Sequence, residues 1–164
     1  MTAATSNATA RSADRIEEQV RLPQPRARVW RALTDPAQLG AWFGADLAGT
    51  TIEPGAHVTG PFTIPGHTHM SLDIIIEEMV AERRFAWRWH PNATDTSVPL
   101  SGEPRTLVTF TFEDAPEGGT LLRVVESGFE SIADARRAAA ILGNTKGWTG
   151  QLTKRLPAWL AANA

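Results

Sequence analysis

The chain has 164 residues, 42% of them hydrophobic and 21% charged, which suits one domain built on one core and excludes a multidomain machine. Sixteen Lys and Arg against eighteen Asp and Glu leave a net charge of -2 and a pI near 6.1, so no broad cationic field exists to hold nucleic acid or anionic lipid. With no cysteine, a disulfide framework, a Cys-ligated zinc and a thiol nucleophile are excluded as well.

The opening MTAATSNATARSADR is small, polar and aperiodic, and residues 1–13 are expected to be a disordered tail ahead of a domain spanning 14–164. It lacks a secretory h-region, and no segment offers eighteen consecutive apolar residues, so a soluble, cytoplasmic protein is expected. IEEQVRL then alternates Ile16, Glu18, Val20 and Leu22 against Glu17, Gln19 and Arg21, the period of a strand that Pro23 and Pro25 end. Val29, Trp30 and Leu33 recur at helical spacing. Asp35-Pro36 reads as an N-cap followed by Pro at the first position of a second short helix, whose apolar face is Leu39, Trp42 and Phe43.

The middle of the chain is strand-like: HVTGPFTI, HMSLDIIIEEM, RRFAWRWH, TLVTFTFE and TLLRVVES are separated by Pro65-Gly66, a loop from Pro91 to Pro104, and Gly118-Gly119. Alternation puts Val58, Phe62, Met70, Leu72, Ile74, Ile76, Phe85, Trp87, Trp89, Val108, Phe110, Phe112, Leu122 and Val124 on the covered face. Arg88, His90, Thr109, Thr111 and Arg123 fall on the other. From Ser131 onward Ile141, Thr145, Trp148, Leu152, Leu156 and Trp159 recur every three or four residues, predicting one long C-terminal helix bent near Gly143 to Gly147. The fold class is therefore α+β: a curved antiparallel sheet wrapped around a long C-terminal helix, with two short helices after the first strand. Wherever the helix does not fill the curvature, a cavity remains for a small molecule.

Three constellations bear on chemistry. Glu126 shares a strand face with Leu122 and Val124, and Glu18 with Ile16 and Val20, so both carboxylates point inward. Each either anchors a polar ligand group or moves a proton, or else sits at a rim, hydrated or paired with an arginine such as Arg105. His67 and His69 have the spacing at which a strand offers two imidazoles to one metal. With Pro65-Gly66 as the turn, His57 falls opposite Asp73, roughly 13 Å along the strand from His69, so no third ligand is at hand, no metal is expected, and His67 and His69 are read as turn-proximal, solvent-exposed histidines. Arg88 and His90 share the outer face and suit either an anionic group or plain solvent exposure. GxSxG, GxGxxG and P-loop patterns are absent, which argues against a serine hydrolase and against nucleotide cofactors bound by such loops; no cofactor is expected.

RVWRALTDPAQLGAWFG at 28–44, FAWRWHP at 85–91, LVTFTFE at 107–113, GGTLLRVVESGF at 118–129 and GWTGQL at 147–152 together resemble the SRPBCC superfamily of START-like, helix-grip domains. Within it they resemble the homologues of the activator of heat shock protein 90 ATPase. The resemblance implies an internal pocket bordered by Trp42, Phe43, the aromatic strand residues and Trp148, with Glu126 of the ESGF stretch nearby. The lining expected is Trp42, Phe43, Met70, Trp87, Trp89, Phe110, Glu126, Trp148 and Leu152. The function expected is to enclose a hydrophobic, aromatic or lipid-like, small molecule. The alternatives are a cyclase or isomerase in which Glu126 is the candidate catalytic residue, and a chaperone-associated interaction module. A homodimer and a chaperone partner are left open, and nucleic acid and membrane are not expected partners.

Overall fold

The computed structural model describes residues 15–91 and 102–163; the expected tail, and the loop between Pro91 and Pro104 except at its ends, lie outside these residues. In chain order the elements are β1 (Ile16–Leu22), α1 (Arg26–Thr34), α2 (Pro36–Phe43), β2 (His57–Pro61), β3 (Ser71–Val80), β4 (Arg84–Trp89), β5 (Thr106–Asp114) and β6 (Thr120–Ser127). There follow a 3-10 turn (Phe129–Ser131), α3 (Asp134–Gly150), a π-helical turn (Gln151–Arg155) and α4 (Leu156–Ala162). The strands form a single antiparallel sheet in the order β1-β6-β5-β4-β3-β2. The last helix, 29 residues from α3 through α4, covers one face, and the architecture is the expected α+β helix grip.

Local chemistry sets the ends of the short helices. The Asp35 carboxylate accepts from the Gln38 amide at 3.1 Å and Pro36 opens α2, a paired N-cap and N1 signal. Gly44, at φ 92°, closes the helix in the left-handed conformation, which a side chain would strain. Arg28 of α1 then clasps the two ends of the fold: it donates to Gln38 Oε1 at 2.8 Å and to the Asn163 carbonyl at 2.9 Å, and lies over the Trp159 ring.

Period-two burial follows the sequence in β5 and β6, where Thr106, Val108, Phe110 and Phe112 face Thr120, Leu122, Val124 and Glu126 across the inner face. Three expectations shift. First, the strands around Pro65-Gly66 are shorter than their alternation suggests. Residues 62–70 form successive turns, with the His67 amide bonded to the Ile64 carbonyl and the Met70 amide to the His67 carbonyl, so His67 and His69 are exposed, as expected, but sit among turns with no strand beneath them. Second, the β2–β3 register pairs Thr59, not His57, with Asp73. His57 is the diagonal neighbour, yet its Nε2 reaches Asp73 Oδ1 at 2.7 Å. Third, the irregularity of the long helix follows Gly150 as a π-turn instead of falling between Gly143 and Gly147.

That π-turn explains which helix residues are buried. Ala140, Trp148, Leu152, Leu156 and Leu160 are buried, and Asn144 lies on the same side. These positions are four apart over twenty residues, whereas an α-helix returns to one face every 3.6. The wide turn takes up one extra residue and brings the downstream positions back to the sheet. Thr145 is consequently exposed, its hydroxyl bonded to the Ile141 carbonyl, and Leu160 rather than Trp159 is the core residue near the end. Among the described residues no helix is long and apolar enough to cross a membrane.

Candidate functional site

The inner face of β4, β5 and β6 meets α3 around Glu126, which is fully buried. Its Oε1 accepts from Trp148 Nε1 at 2.9 Å and from Asn144 Nδ2 at 2.9 Å. Its Oε2 accepts from Thr106 Oγ1 at 2.6 Å, Trp89 Nε1 at 2.8 Å and Asn144 Nδ2 at 3.0 Å. Among the described residues no arginine or lysine takes part. Arg105, the counter-ion considered from sequence, instead donates to Asp73 Oδ1 at 3.1 Å. Neutral donors alone satisfy this buried carboxylate, the condition under which its burial is tolerable. Glu18, by contrast, is a rim residue: its Oε2 accepts from Thr149 Oγ1 at 2.9 Å and its Oε1 from the Gln19 amide.

Around the carboxylate the aromatic side chains form one cluster. Phe43 lies 6.1 to 6.2 Å, centroid to centroid, from Trp87, Trp89 and Trp148 in edge-to-face arrangements and 5.5 Å from Trp42. Trp89 and Trp148 lie 5.5 Å apart at 30°, and Phe110 packs against both Trp87 and Trp148. Trp42 is held independently, its Nε1 donating to the Ala32 carbonyl at 2.8 Å. Of the residues named from sequence, Trp42, Phe43, Trp87, Trp89, Phe110, Glu126 and Trp148 are thus joined by direct contacts. Leu152 is buried in the same core, and Met70 is buried beside the turns of residues 62–70, its carbonyl bonded to the Phe62 amide.

Two buried polar atoms in this region have no partner: Trp87 Nε1, a donor, and Gln151 Oε1, an acceptor. Both belong to residues that adjoin Phe43. The Trp87 ring packs on the Phe43 ring, and Gln151 Nε2 donates to the Phe43 carbonyl at 3.1 Å from the first position of the π-turn. Thr106, Asn144 and Gln151 are the participants that sequence reasoning passed over. Thr106 was legible, since it shares the inner-face alternation of Val108 and Phe110. Asn144 was hidden by the four-residue spacing of the buried helix face, and Gln151 lies one residue outside that series, so no periodicity points to it.

On the opposite face a polar row crosses the sheet edge, where His57, Asp73 and Arg105 are linked as described and His90 lies beside them. Burial raises the Asp73 carboxyl, but the hydrogen bond from His57 and the charge of Arg105 together hold it below the usual range. Burial, reinforced by Arg105 and then Arg136, pushes His90 below the ordinary histidine value against the opposing pull of Glu103 and Asp73; its buried Nδ1 has no partner. Arg88 pairs with Glu77, not with an anion shared with His90. Among the described residues no three His, Cys, Asp or Glu side chains gather as a metal-binding group would.

A curved antiparallel sheet closed by one long helix over an aromatic interior defines the START-like helix-grip class. The sequence profile of the Activator of Hsp90 ATPase homolog 1-like protein family matches residues 23–161, and the chain belongs to that family. No curated protein sequence matches it. Among solved structures it is similar to protein MLL2253 from Mesorhizobium loti, at 22% identity and a TM-score of 0.68, with 92% of this chain and 98% of that one covered. It is also similar to Ms6760 from Mycobacterium smegmatis, at 20% identity and a TM-score of 0.68 over 93% and 94% of the two chains. DynU16, from the dynemicin biosynthetic locus, matches at 25% identity and a TM-score of 0.67. That match covers 92% of this chain and 48% of DynU16, so the present chain spans about half its length.

Proposed function

We propose that this domain binds a hydrophobic, aromatic or lipid-like, small molecule between the sheet and the C-terminal helix, against Trp42, Phe43, Met70, Trp87, Trp89, Phe110, Glu126, Trp148 and Leu152. The observation that carries the reading is the pair of unpartnered polar atoms, Trp87 Nε1 and Gln151 Oε1, flanking Phe43 within an aromatic interior whose other central polar group, Glu126, is satisfied by its own donors. Buried donors and acceptors are rarely left unpaired in a protein, and a ligand entering here would meet apolar walls with a few polar fixing points. The π-turn adjoining Phe43 is a second support, since such turns recur where helices border functional sites.

Glu126 fits binding better than proton transfer. Each of its oxygens already accepts two or three hydrogen bonds from the protein, so the carboxylate holds Trp89 and Trp148 in place and has no free lone pair aimed at a substrate. A soluble, cytoplasmic setting belongs to the same reading.

The test is titration with a dye that fluoresces in apolar cavities, with tryptophan emission as a second readout and native mass spectrometry to reveal any retained molecule. Saturable binding that Trp148→Ala and Gln151→Leu weaken is expected. A protein that binds no dye and carries no retained molecule, or binding that neither substitution alters, refutes the reading.

A further inference from the structure

The two edges of the sheet are treated differently. At the β2 edge the chain folds back over its own strand: the Asp46 amide donates to the Pro61 carbonyl at 2.9 Å, Ala45 bridges to Phe62, and Gly60 approaches Asp46 so closely that a Cβ would lie 1.9 Å from the Asp46 carbonyl oxygen. At the β1 edge, among the described residues, no backbone group pairs with the outer side of the strand. The Gln19 amide turns away from β6 and donates to the side chain of its neighbour Glu18 at 3.2 Å. By the two-residue repeat of a strand, the amides and carbonyls of Glu17 and Arg21 face the same open side. This seven-residue edge carries no proline within it and no bulge in its pairing with β6.

We infer that β1 is a homodimerisation edge, joining the β1 strands of two copies antiparallel about a two-fold axis at Gln19 into one continuous twelve-stranded sheet. The charges choose both the occupant and the register. Glu17, Gln19 and Arg21 are exposed and share the outer face of the sheet. With the axis at Gln19, Glu17 of one copy lies opposite Arg21 of the other, twice over by symmetry, and Gln19 meets Gln19. Moving the axis to Glu18 sets Arg15 against Arg21 and Glu18 against Glu18, two repulsive juxtapositions. Placing it at Val20 sets Gln19 against Arg21 and Glu17 against Pro23, so both Glu17–Arg21 pairs are lost. The edge is therefore complementary to itself in one register, with the backbone groups of residues 17 and 21 directed at the partner and the Gln19 amide exchanging its exposed bond to Glu18 Oε1, a carboxylate that Thr149 also holds, for one across the axis.

Contacts that these side chains make within one copy leave them available. Arg15 to Glu17 is a surface pair at 2.7 Å with both side chains about half exposed. Arg21 reaches the exposed carbonyls of Glu117 and Gly118 at 3.3 and 2.8 Å. Such exposed pairs exchange at little cost. A junction of one strand pair buries less than the roughly 1,600 Å² of a standard stable interface, so the association is reversible and concentration-dependent.

Sedimentation velocity of the full chain across about a thousandfold range of concentration tests the inference. A reversible monomer–dimer equilibrium is expected. Glu17→Arg and Arg21→Glu should each weaken it about tenfold, and the double variant, which restores both cross-strand pairs with exchanged signs, should return to within about threefold of the parent. Gln19→Pro, which removes an amide that β6 does not use, should abolish the dimer while leaving the monomer folded by circular dichroism. Removal of residues 1–13 should change nothing. A monomer at every concentration overturns the proposal, as does a dimer indifferent to all three side-chain variants. It is equally overturned if only the shortened chain dimerises, which would show the edge occupied by the protein's own N-terminal segment. None of these outcomes depends on ligand binding in the interior.

Discussion

Replacing Glu126 by leucine removes the single acceptor that five hydrogen bonds share. Trp148 Nε1 and Thr106 Oγ1 are buried and lose their bond outright, although Thr106 can turn toward the Trp89 carbonyl at 3.4 Å. Trp89 and Asn144 are part-exposed and can recover water. An orphaned buried donor costs about 1 to 3 kcal/mol, so four donors, two of them partly rehydrated, come to roughly 4 to 8 kcal/mol. Burying the leucine side chain and sparing the desolvation of a carboxylate return about 2 kcal/mol. The expected net loss is about 4 kcal/mol. Glu126→Gln keeps one oxygen for Trp148 and Asn144 but turns an amide donor toward Trp89 and Thr106, and should cost about 1 to 2 kcal/mol. Urea denaturation at neutral pH gives both numbers, and near-ultraviolet circular dichroism reports whether the indoles keep their fixed geometry. If Glu126→Leu is neutral or stabilising, as replacement of a buried ionic group by apolar residues sometimes is, the hydrogen bonds do not outweigh the desolvation and Glu126 is not what holds Trp89 and Trp148.

Deleting Thr153, an exposed residue within the π-turn, should let the helix become regularly α-helical with its flanks in place and cost less than about 2 kcal/mol, whereas deleting Lys146 rotates Asn144 and everything before it by about 100° and should cost several times more; thermal denaturation compares the two. Gly60→Ala drives a Cβ into the Asp46 carbonyl and should cost about 3 kcal/mol. Gly66→Ala, strained by a φ of 87° but in open space, should cost about 1 kcal/mol in the same assay. His90 and Asp73 give stability a pH dependence of one sign. The folded state disfavours protonated His90, so its contribution is neutral above about pH 7 and stability falls as pH drops below the ordinary value of 6.5; Asp73, held low, stabilises at neutral pH and loses that contribution only in stronger acid. Denaturation midpoints between pH 7.5 and about 5 should therefore slope less in His90→Gln than in the parent, and equal slopes would refute the assignment.

What the sequence made legible follows from how each element is stabilised. Strands β5 and β6 declare themselves because one face is buried along their whole length, so alternation survives intact in TLVTFTFE and TLLRVVES. Helix α2 is announced by Asp35, Pro36 and Gly44, each required by its backbone. Residues 62–70 misled because turns as well as strands can bury apolar residues, Met70 fully and Phe62 in part. The helix face misled through its period: reading at 3.6 selects Thr145 and Trp159, and only a helix holding one extra residue presents Asn144 and Leu160. For the same reason Glu126 was recognised as inward but without its partners, two of which are on that helix. The resemblance supplied the helix-grip class from scattered segments. The hydrogen bonds that make Glu126 a tie between tryptophans are three-dimensional facts that no spacing along β4, β5 and β6 encodes.

The shared acceptor also constrains how this interior can change over generations. Trp89, Thr106, Glu126, Asn144 and Trp148 come from three strands and one helix, yet their polar atoms form one closed set. Loss of the carboxylate strands four donors, whereas loss of one donor exposes only part of the carboxylate. The path is therefore lopsided: donors can be shed singly, and Glu126 can depart safely only last, once the ring around it has become apolar. Relatives should accordingly fall into two kinds, those retaining an acid with several donors and those apolar at all five positions. An acid-less interior still carrying both tryptophans and the asparagine is the combination that selection for stability would remove.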